Sequence, residues 1–221
     1  MQNLVIAASA ACMAAMLYWR YRSDALNARN GRGNIFNDCS ALLTQVSETR
    51  ETIGFPTLRG SVEDYPVMFE ALVDTLSMRK VPPLWLTITV TGKQRTPGSL
   101  DVLVRPQNTE FYSPGWGWNG ALPIPADWPQ HAMVKYQGMP VSLEDLGNFV
   151  PELFSDEKVK ELLITPTLVR ITYLIKQGDR GEYLLMRNAA FDGLPIPKEA
   201  VSGLLHAAID LRKKLEGALR T

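Results

Sequence analysis

The chain has 221 residues, 46% hydrophobic and 21% charged, which supplies enough apolar surface for a core and excludes global disorder. Lys and Arg number 23, as do Asp and Glu, and zero formal charge argues against a partner recognised through its phosphates, so no nucleic acid is expected. Two cysteines, Cys12 and Cys39, and two histidines, His131 and His206, cannot assemble a disulfide framework or a zinc site, and no metal or cofactor is expected.

The N-terminus carries the most specific pattern. Leu4 to Trp19 is a run of 16 residues without a charge. As a helix it would cover about 24 Å, somewhat short of a ~30 Å hydrocarbon core. Tyr18 and Trp19, followed by Arg20 and Arg22, match the aromatic belt and basic flank of a membrane interface. A cleaved signal peptide would want basic residues ahead of the run, and Met1-Gln2-Asn3 has no charged side chain. A core helix would show a polar face, and this run shows none. The expectation is therefore a single-pass anchor over 1–22 in an inner (cytoplasmic) membrane. Arg20, Arg22, Arg29 and Arg32 follow the run, so the N-terminus lies outside and the C-terminal domain on the cytoplasmic side. Ala7, Ala11 and Ala15, four apart, form a small-residue row suited to packing against another transmembrane helix.

Residues 23–55 read as a juxtamembrane connector, with Leu42, Leu43 and Val46 placing a short helix between Asp38 and Thr52. The remainder, 56–221, is expected to be one domain. Val67 to Thr75 alternates as a strand, and Leu84 to Val90, Leu100 to Val104 and Ala132 to Tyr136 are strand-like in composition. Ser142 precedes a helix carrying Leu143, Leu146 and Val150, and Asp156 to Leu163 reads as another. Leu168 to Lys176 and Glu182 to Met186 flank the glycine-bearing stretch 177–181, which predicts a hairpin. Pro197 to Leu219 places Val201, Leu204, Leu205, Ala208, Leu211, Leu215 and Ala218 on one stripe of an amphipathic helix. Strands in succession with helices gathered late give an expected fold class of α+β, with a transmembrane helix ahead of a mostly antiparallel sheet and a C-terminal amphipathic helix.

Gly115-Trp116-Gly117-Trp118-Asn119-Gly120 has the literal spacing of a dinucleotide-binding fingerprint. That motif needs a helix directly after the glycines, and Pro123, Pro125 and Pro129 forbid one. No nucleotide is expected there. What remains is an aromatic loop with Phe111, Tyr112, Trp116, Trp118 and Trp128. Most of its rings are expected to fold back on the sheet, with Trp116 and Trp118 as the possible partner contact.

No nucleophile elbow, catalytic triad or clustered metal ligands can be found, so catalysis is not expected. The acid pairs Glu63-Asp64, Glu144-Asp145 and Asp156-Glu157 sit in turns or helix starts, where carboxylates cap. Asp74 and Arg79 stand out, because a charge beside an apolar strand wants a partner. The function these features suggest is a non-catalytic accessory or scaffolding subunit of a membrane protein complex, in contact with the lipid bilayer and other transmembrane subunits. The alternatives are a membrane-tethered small-molecule-binding or sensor module and, behind it, an enzyme without a readable motif.

Overall fold

The computed structural model describes residues 12–20, 22–23, 32–50, 54–76, 81–93, 95, 97–108, 110–139, 141–186 and 189–218. Nine strands form one sheet: β1 (Thr44–Thr49), β2 (Thr57–Val62), β3 (Tyr65–Val73), β4 (Pro83–Thr91), β5 (Ser99–Val104), β6 (Gly120–Ala121), β7 (Ala132–Gln137), β8 (Val159–Ile164) and β9 (Leu168–Gln177). Their spatial order is β1-β2-β3-β4-β9-β8-β5-β7-β6, and every described pair is antiparallel. The β2–β3 connection is a two-residue hairpin, and Glu63 and Asp64 both adopt positive φ there (50° and 64°), as the twist of such a turn requires.

Alternation along each strand divides the sheet into two chemically different faces. On the first, Leu86, Ile88 and Val90 of β4 pair with Tyr173, Ile171 and Val169 of β9 and continue into Leu162 and Ile164 of β8, with Leu84 buried at the start of the β4 row. The C-terminal helix, Lys198–Gly217, packs across β4 and β9 and buries Val201, Leu205, Ala208, Ile209 and Leu215 on this face. Each such aliphatic side chain taken from water contributes about 1.5–3 kcal/mol. Glu199 in its first turn and Lys214 in its last complement the helix dipole. Residues 35–39 join the same core: Ile196 N–H donates to Ile35 O, and Cys39 lies against the Ile196 carbonyl.

Arg212 locks the C-terminal helix to the strand ends. It is fully buried, donates through Nη1 and Nη2 to the Thr165 and Pro166 carbonyls, and pairs with Glu216 one turn on. Glu216 in turn accepts from Tyr65 Oη–H and from Lys93 N–H. The guanidinium occupies the space a side chain at position 92 would take, so Gly92 is a packing requirement.

Several expectations are corrected. The fold class is not α+β with a transmembrane helix: the described residues form a nine-stranded antiparallel sheet domain with few helices. No helix among the described residues is long and apolar enough to cross a membrane. Of the apolar run, 12–20 is described as helix, and nine residues reach only about 14 Å. Residues 1–11, with Ala7 and Ala11, lie outside the described residues. The single-pass, inner-membrane, N-terminus-out placement falls with that span.

Local assignments change too. Asp38–Thr52 is a short 3-10 turn, Cys39–Leu42, followed by β1. Asp156–Leu163 is largely β8, whose six residues are all buried; a strand covered on both sides loses the period-two signal and imitates a buried helix. The expected strand Glu182–Met186 belongs to a helix, Arg180–Met186, so 177–181 is a strand-to-helix link.

Candidate functional site

The second face of the sheet is polar. Its side chains include Trp85 and Thr87 of β4, Arg170, Thr172 and Leu174 of β9, Glu161 of β8 and Asp101 of β5, brought into adjacent rows by the pairings Thr87↔Thr172↔Glu161 and Arg170↔Leu163↔Asp101. Such groups are tolerated only when covered and partnered, and the segment after β5 supplies the cover. Arg105 and Asn108 turn that segment back with φ of 49° and 61°. It then lies over the strands as a strap through Glu110, Tyr112, Ser113 and Gly115.

Charged strand residues hold the strap. Asp101 Oδ2 accepts from Ser113 Oγ–H at 2.6 Å and Gly115 N–H at 2.9 Å. Arg170 Nη2 donates to the Tyr112 carbonyl at 2.6 Å and to both oxygens of Glu161 at 3.1–3.2 Å, and Thr172 Oγ1–H donates to the same carboxylate at 2.7 Å. A register shift between Val159 and Glu161 sets Lys160 out of the regular alternation. Its ammonium donates to the Val104 carbonyl at 2.9 Å and the Arg105 carbonyl at 2.7 Å, and meets Glu110 at 2.8 Å. All three of its N–H donors are thereby engaged.

Below the strap the electrostatics are tight. Burial pushes the Glu161 carboxyl up to about 7; Arg170 opposes that shift and the nearby Asp101 adds to it. Burial likewise raises Asp101, against the hydrogen bonds from Ser113 and Gly115 and the charge of Arg170. Two carboxyls beside one guanidinium therefore hold a proton near neutrality. Burial alone would raise Glu110, but Lys160 and the Gln107 N–H bring it below its ordinary value, while burial lowers Lys160 despite the same contact. Glu110 has the additional backbone donor, so the pair is ionised with the carboxylate the more firmly held partner. Five buried polar atoms of this layer find no hydrogen-bond partner among the described residues: Trp85 Nε1, Thr87 Oγ1, Asp101 Oδ1, Arg170 Nε and Tyr112 Oη.

Where β3 ends, β4 begins and β9 ends, the strap leaves a cleft of about 610 Å³. Asp74, Trp85, Arg105, Glu110, Lys160 and Arg180 line it, with Leu174 on its floor. Asp74 follows β3, is only 6% exposed, and accepts one hydrogen bond, from Leu76 N–H at 3.1 Å. Burial raises its carboxyl above the ordinary value. Among the described residues no cation forms an ion pair with it. The Trp85 ring packs on Tyr112 of the strap, centroids 6.2 Å apart.

Sequence reasoning singled out Asp74 and the aromatic loop, and the structure brings both to this face. Arg79 lies outside the described residues. Phe111 is exposed, Tyr112 and Trp128 are buried, Trp116 is 41% exposed and Trp118 half-buried. The glycine motif forms a single 3-10 turn, Pro114–Gly117, with Gly115 closed down on Asp101. Tyr18, Trp19, Arg20, Arg22 and Ala15 sit in or just after the helical 12–20 stretch, all exposed. His206 lies on the C-terminal helix and His131 just before β7, neither in the cleft. Of the acid pairs, Glu63 meets Lys213 and Asp156 accepts from Lys158 N–H; only Glu157 lines the cleft. Asp101, Lys160, Glu161 and Arg170 were passed over. Their signal is in the sequence: Asp101 is the one charge of β5, Lys160 and Glu161 stand side by side in the otherwise apolar β8, and Arg170 lies between apolar residues of β9.

No family model matches the chain, and no curated protein matches it. Among solved structures, the crystal structure of the mycobacterial trehalose monomycolate transport factor A, TtfA, is 8% identical, with 81% of this chain and 76% of that chain covered and a TM-score of 0.36.

Proposed function

We propose that the chain is a non-catalytic small-molecule-binding module whose site is the cleft lined by Asp74 and Trp85. The carrying observation is the buried Asp74 carboxyl, which forms no ion pair with any described residue, on the wall of a cleft of about 610 Å³. That volume is typical of sites for small ligands, in which a few polar groups converge on an apolar or aromatic wall. A sheet face that gives up packing for strained polar groups also departs from what stability alone selects. Binding is favoured over chemistry because the described lining holds no hydroxyl, thiol or imidazole, and its one amine, Lys160, has every donor engaged.

Thermal denaturation across a panel of small polar metabolites tests the reading. One compound class should raise the midpoint of the native chain, and Leu174→Trp, which fills the floor of the cleft, should abolish the rise. Stabilisation unaffected by Leu174→Trp would place binding elsewhere.

The accessory-subunit reading leaned on a membrane span that the described helix does not make. A protein-docking role keeps one supporting observation: Phe111, 56% exposed, and Trp116 present aromatic surface on the strap. Loss of a co-purifying protein on Phe111→Ser with Trp116→Ser would support it.

A further inference from the structure

Lys160 and Glu110 pair with each other in the cleft wall, and the Lys160 charge also acts on Asp74 without forming an ion pair. The other charged lining residues are Asp74 itself, the exposed Glu157, Arg105 and Arg180. Asp74 follows β3, Arg180 lies just past the end of β9 and Arg105 follows β5, so in the sheet order β3-β4-β9-β8-β5 the two arginines stand two and four strands from Asp74. Neighbouring strands are about 4.8 Å apart, which separates Asp74 from the two arginine-bearing strand ends by on the order of 10 Å and 20 Å.

The acidic side is prepared for a cation. A buried carboxylate with a single backbone donor gains most from an ammonium group, and the Trp85 ring on the same wall offers its negative face. The basic side is prepared for an anion. Arg105 is fixed through Nη2 alone, which donates to the carbonyls of Glu157 and Val159, at 2.6 and 3.1 Å. Its other nitrogens make no hydrogen bond with the described residues, and neither does the Arg180 guanidinium. A fork held at one end leaves donors in the geometry that carboxylates accept.

We propose that the cleft takes an elongated zwitterion, with an ammonium end against Asp74 and Trp85 and a carboxylate end against Arg105 and Arg180. The assignment rests on the small-molecule-binding reading above and adds the chemical class of the ligand. A free α-amino acid is too short to span both margins. An ω-amino acid or a short peptide is long enough.

Isothermal titration of the full chain with three six-carbon probes tests it: ε-aminocaproate, hexamethylenediamine and adipate. The zwitterion should bind at least tenfold more tightly than the diamine or the diacid. Asp74→Asn should weaken ε-aminocaproate and hexamethylenediamine at least tenfold and leave adipate unchanged. Arg180→Gln, an exposed position whose loss does not threaten folding, should weaken ε-aminocaproate and adipate and leave the diamine unchanged. Equal affinity for all three probes, no binding of any, or an unaltered zwitterion affinity in both variants overturns the charge assignment. If the assignment fails while another metabolite still stabilises the native chain but not Leu174→Trp, the binding reading stands without it. If no compound does, both fall.

Discussion

The Lys160 ammonium and the Glu110 carboxylate meet at 2.8 Å with side-chain exposures of 5% and 3%, joining a bulged residue of β8 to the strap that crosses it. Removing one member leaves the other charge buried without its counter-ion. Glu110→Ala should lower stability by about 3–5 kcal/mol, whereas Glu110→Leu combined with Lys160→Met should lie close to the native value. Urea denaturation monitored by circular dichroism distinguishes the two.

The strap also depends on a missing side chain. A Cβ at Gly115 would come within 2.5 Å of Asp101 Oδ2, while one at Gly117 meets nothing within 4 Å. Gly115→Ala should cost about 1–3 kcal/mol, and Gly117→Ala, two residues away in the same turn, much less. Comparable losses in the same denaturation experiment would show that the strap is not held against Asp101.

The Glu161 carboxyl titrates near 7 in the folded chain, against an ordinary value of 4.5. An acid raised by folding binds its proton more tightly in the native state, so stability falls as pH rises from about 4.5 to about 7 and is flat beyond. Glu161→Gln cannot ionise and should flatten that slope while leaving a hydrogen-bonding side chain for Thr172. Denaturation midpoints measured between pH 4.5 and 8 check the sign. A native curve rising through this window would contradict it.

How much of this the sequence discloses varies by element. In β4 the alternation Leu84, Leu86, Ile88, Val90 is plain, because one face is aliphatic and the other polar. In β8, Val-Lys-Glu-Leu-Leu-Ile is buried throughout, so its period vanishes and a helix is the natural misreading. The candidate site is harder still. Asp74 announces itself as a charge beside an apolar strand, but Asp101, Glu161 and Arg170 meet only through strand order. Positions 101 and 161 are neighbours because β5 joins the far side of β8, a pairing no local pattern encodes.

The two cysteines should differ sharply. Cys39 is fully buried, and burial first, then Asp38 and Glu199, pushes its thiol up to about 12. The thiolate is the reactive form, so Cys39 should resist iodoacetamide in the native chain at pH 8, while the exposed Cys12 is alkylated. Mass spectrometry of the labelled peptides before and after denaturation reads both sites.

The indole N–H of Trp85 reports most directly on whether the cleft is the working site. Its nitrogen resonance can be assigned by its absence in Trp85→Phe and followed as ε-aminocaproate, or a stabilising metabolite, is added to the native chain. A saturable shift of that signal is expected, absent in Leu174→Trp, with the Trp116 and Trp118 signals largely unmoved. A shift confined to Trp116 and Trp118 would move the functional surface from the cleft to the outside of the strap and contradict the account.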